Sequence, residues 1–115
     1  MITYDDFKKL KMQIGTVIKI EIVEGADKLL RCEIDFNEVD EEGNKKLRQI
    51  VSGIREFYPD FEKLVGKQLL YVTNLEPRII RGAESNGMLM AVDGVDGVPV
   101  FLVPENPVNP GSSVR

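Results

Sequence analysis

Residues 14–36, IGTVIKIEIVEGADKLLRCEIDF, hold two runs of alternating apolar and polar side chains on either side of a short break. Ile14, Thr16, Ile18, Ile20 and Ile22 recur at period two, with Val17, Lys19 and Glu21 between them, which predicts a long half-buried strand. Gly15 near its start predicts a bulge or a close backbone approach. Gly25-Ala26-Asp27 breaks the run. Leu30, Cys32, Ile34 and Phe36 then alternate with Arg31, Glu33 and Asp35, so a second strand follows, with Cys32 as a small buried apolar residue.

Outward from these two strands, the acidic segment 37–46 reads as an extended hairpin loop, and Leu47 to Gly53 returns as a third strand. PDFEKLV, residues 59–65, has the character of a helix start, with Asp60 as its N-cap candidate and Gly66 as its stop. Gln68 to Asn74 is apolar on both faces, a fourth strand, and Met88 to Val92 is a fifth. Asp93-Gly94 and Asp96-Gly97 mark turns before a last apolar run over 98–103. Three strands, a short helix and two further strands, with no helix among the first three, predict an all-β fold. Its order is that of the five-stranded Greek-key OB barrel. Residues 1–115 are expected to form one domain, with an N-terminal arm or helix over 1–12, the barrel over 13–103 and a C-terminal extension over 104–115. The apolar faces of the fourth strand and of 98–103 exceed what a small barrel hides, so a homodimer is expected.

Composition narrows the chemistry. The chain has no His and one Cys, so imidazole acid–base catalysis, His ligation and a cysteine zinc cluster are excluded. No glycine-rich phosphate loop is present, and no pair of carboxylates stands at a catalytic spacing. These absences favour a binding module without cofactor or metal over an enzyme. No apolar run reaches the roughly 18 residues of a membrane span, and the first residues lack a signal peptide's apolar stretch, so a cytoplasmic location is expected. The net charge is −4, and Glu38, Asp40, Glu41 and Glu42 supply four negative charges in one cluster, leaving a neutral remainder able to carry a local basic face.

On the OB frame, ligands bind across strands two and three, flanked by the one–two and four–five loops. Lys28 is placed in the one–two loop, Arg31 and Arg48 on strands two and three, and Arg78 and Arg81 in the four–five loop. Five cations scattered in sequence thus converge on one face as candidate phosphate contacts. Each taken singly also reads as a solvated surface charge. Pro77 stiffens the approach to Arg78, and Ser85 and Asn86 offer groups able to reach phosphate, sugar or base edges. The alternative for these two is a polar turn satisfying its own backbone. Met88 follows the break and could line a pocket, whereas Met90 on the same strand face reads as core.

Four ordered blocks, GADKLLRCEIDF, RQIVSGIREFY, LVGKQLLYVTNLEPRIIRG and ESNGMLMA, resemble the tRNA-binding domain appended to methionyl-tRNA synthetases. The same domain resembles stand-alone dimeric tRNA-binding proteins and the endothelial monocyte-activating polypeptide module. The resemblance runs from about Phe7 into the tail. It implies an OB fold, a homodimer, and binding of tRNA by overall shape in the service of a catalytic synthetase chain, with no chemistry of its own. The family's Asn-Leu-x-Pro-x-x-x-Arg-Gly motif falls on Asn74 to Gly82, assigning a functional role to Asn74 and basic contacts to Arg78 and Arg81. Its Ser-x-Gly-Met motif falls on Ser85, Gly87 and Met88, and its Ala-Asp-Lys-Leu block puts a tRNA contact on Lys28. Three positions depart from the pattern: Glu76 replaces the usual Lys, Asn86 a common Gln, and Glu24-Gly25 a frequent His-Pro. Related chaperone-like dimers supply the alternative, a protein-interaction module on the same barrel. A generic single-strand binder would need exposed stacking aromatics, which five Phe, three Tyr and no Trp do not favour.

Overall fold

The computed structural model describes all residues, Met1–Arg115. After a short helix α1 (Tyr4–Lys8), strand β1 (Met12–Val23) pairs antiparallel with β2 (Ala26–Val39), which pairs with β3 (Lys45–Ser52). A single 3-10 turn over Phe61–Leu64 leads to β4 (Gln68–Val72), which lies on the other side of β1. A hairpin of β5 (Arg78–Ile80) and β6 (Ala83–Ser85) precedes β7 (Met88–Leu89), and β8 (Ala91–Asp93) pairs with β9 (Pro99–Phe101). The main sheet runs β3-β2-β1-β4-β7, so the all-β OB-like order expected from the sequence is present.

No backbone ladder closes that sheet between β3 and β7. Short bonds bridge the gap instead. The Asn86 N–H donates to the Gln49 carbonyl at 2.8 Å, the Val51 N–H donates to Ser85 Oγ at 3.0 Å, and Gln49 Nε2 donates to the Glu84 carbonyl at 2.9 Å. Each satisfies a backbone group that an open edge would leave to water.

Val17, Leu30, Cys32, Ile34, Phe36, Ile50, Ile54, Leu64, Leu69 and Tyr71 form one buried cluster. The second strand alternates as expected. The first does not. Val17 is buried while Ile18 is 42% exposed, because a bulge between Val17 and Lys19 leaves Ile18 without a partner on β2. Gly15 faces the core directly, where a Cβ would collide with the Ile34 and Phe36 side chains, so the close-approach expectation was the correct one. A second bulge at Asn37, with φ 60, carries β2 on to Val39. The acidic loop is therefore shorter than the predicted 37–46. Asp40 closes it by accepting from the Glu42 and Asn44 N–H groups.

Other boundaries move as well. The Asp60 side chain does not cap the 3-10 turn; it pairs with Lys63 at 3.2 Å. The predicted strand 88–92 breaks at Met90, its first half pairing with β4 and its second with β9. The segment after β9 lies along β1: Ser112 accepts from Ile14 N–H, Val114 N–H donates to Met12, and Gln68 bonds both backbone groups of Val108 through its amide. The N-terminus folds as α1 through a capping box in which Thr3 Oγ1 accepts from Asp6 N–H and Asp6 accepts from Thr3 N–H, though no residue of the helix is buried. No helix is long and apolar enough to cross a membrane.

Candidate nucleic-acid interface

Within the stretch 74–88, expected as a stiffened loop, residues 78–85 form a β-hairpin. Ile80 pairs with Ala83 across a two-residue turn in which Arg81 has φ 51 and Gly82 φ 82. Positive φ at both central residues is the type I′ pattern, whose twist suits a tight hairpin. The turn puts Arg81 at the tip, from where its Nη2 donates to the Gly25 carbonyl at 3.0 Å. The β1–β2 turn and the β5–β6 tip are thereby tied together, and Arg81 lines one cleft with Gly25, Asp27, Lys28, Leu29 and Ile80. Lys28 stands on β2 itself, two residues past its start, and not in the loop before it. Its side chain is exposed and makes no ion pair or hydrogen bond within the chain, and the same is true of Arg78.

The other two arginines are engaged. Arg31 Nη2 meets Glu21 Oε2 at 2.7 Å across the β1–β2 ladder, and Lys19 meets the other oxygen of Glu21 at 2.6 Å. The bonds from Lys19 and Arg31 hold the Glu21 carboxyl down at about 2. Arg48 is opposite Ile34 on β3, so its side chain turns toward the end of the barrel and not toward the outer face. There it grips both oxygens of Glu38, at 2.8 and 2.9 Å, donates to the Thr73 carbonyl at 2.6 Å and the Asn86 carbonyl at 3.4 Å, and lies 5.5 Å from the Phe36 ring. Of the five cations expected on one face, Lys28, Arg78 and Arg81 gather around the hairpin. Arg31 and Arg48 are already paired with carboxylates.

The polar residues divide in the same way. Asn74 Oδ1 accepts from Lys11 N–H at 2.8 Å and its Nδ2 donates to the Lys9 carbonyl at 2.7 Å, which clamps the N-terminal arm. Ser85 is buried, accepting from Val51 N–H across the β3 edge and donating to the Gly87 carbonyl at 3.0 Å, so only the second of its bonds is the local turn contact of the alternative. Asn86 has its backbone fixed on both sides but its side-chain amide free. Met88 pairs with Val72 and is 46% exposed. Lys46, absent from the sequence-based candidates, lines a second cleft with Leu47, Arg48, Leu75, Pro77 and Asn86. Its signal was the Lys45-Lys46 pair, masked by the acidic residues just before it.

This arrangement, an OB-like sheet with cations around one protruding hairpin, defines a class of nucleic-acid-binding module. The family model described as "Putative tRNA binding domain" matches residues 12–113, and the chain belongs to that family. It is 42% identical over 108 residues to a methionine–tRNA ligase of Lactiplantibacillus plantarum, covering 94% of this chain and 15% of that one. With a methionine–tRNA ligase of Methanocella arvoryzae the identity is 45% over 114 residues, 99% of this chain and 15% of the relative. The chain thus spans only a small part of these ligases. A solved methionyl-tRNA-synthetase-related protein from Pyrococcus horikoshii superposes with a TM-score of 0.86 at 32% identity, covering 100% of this chain and 98% of the other. The chaperone CsaA of Bacillus anthracis superposes at 0.81 with 29% identity, covering 100% and 99%.

Proposed function

We propose that this chain binds folded tRNA by shape, as an appended domain or β subunit of methionyl-tRNA synthetase, raising tRNA affinity without performing chemistry itself. The observation that carries this reading is the placement of three cations, Lys28, Arg78 and Arg81, around the β5–β6 hairpin, with Lys28 and Arg81 in one cleft. Phosphates of a duplex backbone are met by such exposed, solvated cations with little sequence preference. Arg31 reaches phosphate only by exchanging Glu21, while Arg48, Asn74 and Ser85 act by holding the hairpin, the arm and the sheet edge in place. Asn86 and Met88 border the surface beside them. The working form is a cytoplasmic homodimer that serves a catalytic synthetase, with no cofactor. Replacing Arg78 and Arg81 together by Ala is expected to lower tRNA affinity about tenfold or more in a low-salt filter assay while leaving the fold intact. Undiminished affinity would reject the assignment.

A second reading has its own support. The CsaA chaperones superpose over 100% of this chain and nearly all of their own length, as the synthetase-related protein of Pyrococcus horikoshii also does. A protein-interaction module is therefore the alternative. Binding of extended apolar peptides in the absence of any tRNA affinity would select it.

A further inference from the structure

The cleft between β3 and the 75–77 segment is built differently from the cationic hairpin. Three of its six lining residues are apolar, Leu47 on β3 and Leu75 and Pro77 on the facing segment, and the others are Lys46, Arg48 and Asn86. The Arg48 guanidinium in its lining is held in place by Glu38 and the Thr73 carbonyl. Asn86 presents an amide that has no partner within the chain. Its backbone cannot give way, since its N–H is bonded to Gln49, its carbonyl to Arg48, and Gly87 after it, at φ 138, leaves only 3.0 Å between a notional Cβ and Ile50. Lys46 stands at the rim. Both oxygens of Glu38, its neighbour across the ladder, are bonded to Arg48, and the Lys46 ammonium makes no ion pair of its own.

Three apolar side chains, an amide with a free donor and a free acceptor, and one unpaired cation match the face of a base, its hydrogen-bonding edge and a phosphate. We infer that this cleft seats a single unpaired nucleotide of the bound RNA. The base lies between Leu47 and the Leu75–Pro77 wall, Asn86 bonds its edge, and Lys46 meets its phosphate. Fully paired RNA offers no such base, because its edges are already hydrogen-bonded. The cleft therefore adds selectivity for folded RNA with unpaired loops over plain duplex, beyond what the hairpin cations supply. This inference rests on the proposed RNA-binding reading and extends it.

The test compares the affinity of the full chain for unmodified tRNA and for a blunt RNA duplex of similar length. Asn86→Ala removes only the free amide and keeps both backbone bonds, so its melting temperature is expected to match the parent. Its preference for tRNA over duplex is expected to fall about tenfold, the effect of deleting one hydrogen-bonding group that faces a buried base edge. Arg78→Ala is expected to weaken both RNAs together and leave their ratio unchanged. A ratio unchanged by Asn86→Ala, or changed equally by Arg78→Ala, overturns the nucleotide seat while leaving the tRNA reading standing. Failure of the parent chain to bind either RNA, including a chain that binds extended peptides only, overturns the reading beneath it and the seat with it.

Discussion

The Arg48 guanidinium bonds to Glu38, Thr73 and Asn86 and lies over Phe36, so removing it leaves partners without bonds on three separate segments. Arg48→Met keeps the aliphatic stem over the ring and deletes the bonds. It is expected to cost about 2 kcal/mol in urea unfolding at neutral pH, the scale of charge-assisted bonds removed beside a half-buried carboxylate. The same pair gives a pH signature. The bonds from Arg48 hold the Glu38 carboxyl below its ordinary 4.5, so the unfolded chain binds that proton more readily than the folded one. This contribution is complete above 4.5 and is lost as pH falls through the lower folded value. The melting temperature should drop on acidification below that point, and by less in Arg48→Met than in the parent. At Asn74, both amide groups hold the arm, so Asn74→Ala should speed hydrogen exchange at the Lys11 amide and cost about 1–2 kcal/mol. At this scale the sequence gives the sign of a charge but not its partner. Arg31 and Arg78 look alike in it, and only the ladder register, which sets Glu21 opposite Arg31, shows that one is paired and the other free.

Among the elements, the β5–β6 hairpin was the least legible. Its strands have three residues each, too few for a period to appear, and Arg81 occupies a turn position where Asn or Gly gives the usual signal. That position has a testable consequence. A non-glycine residue at φ 51 is held in the left-handed region, so Arg81→Gly relieves that strain while deleting the bond to Gly25. It should be more stable than Arg81→Ala, which loses the same bond and keeps the strain, by about 1 kcal/mol, both variants binding tRNA more weakly than the parent. Unchanged affinity in both variants would separate the hairpin tip from the binding surface. The bulge at Ile18 was illegible for a different reason. In the sequence Ile14, Thr16, Ile18, Ile20 and Ile22 read as one apolar phase, and only the bulge against β2, where the phase switches, sets Val17 before it and Ile20 after it against the core. The second strand left no such ambiguity, since Arg31, Glu33 and Asp35 alternate with the core residues Leu30, Cys32, Ile34 and Phe36, although Asp35 is itself buried and paired with Lys45.

For the whole molecule, strand order was readable because turns and one short helix punctuate it in sequence. Closure of the sheet was not, since it depends on Ser85, Asn86 and Gln49 meeting across the β3 edge from distant positions. The β8–β9 ribbon packs one face through Phe101 stacked 4.9 Å from Tyr58, and turns the cross-strand pair Val92 and Val100 outward, with Val103 also exposed. If that surface joins two chains, sedimentation should give a dimer, and Val100→Asp should give a folded monomer. The central claim, a cationic hairpin that binds tRNA, is tested most directly by tRNA affinity across a salt series, for the parent chain and for the Arg78→Ala, Arg81→Ala double variant. The parent should bind more weakly as salt rises, and the double variant should flatten the logarithmic slope by about 2, one unit for each phosphate left without its arginine. An identical slope and affinity in the two proteins would contradict it.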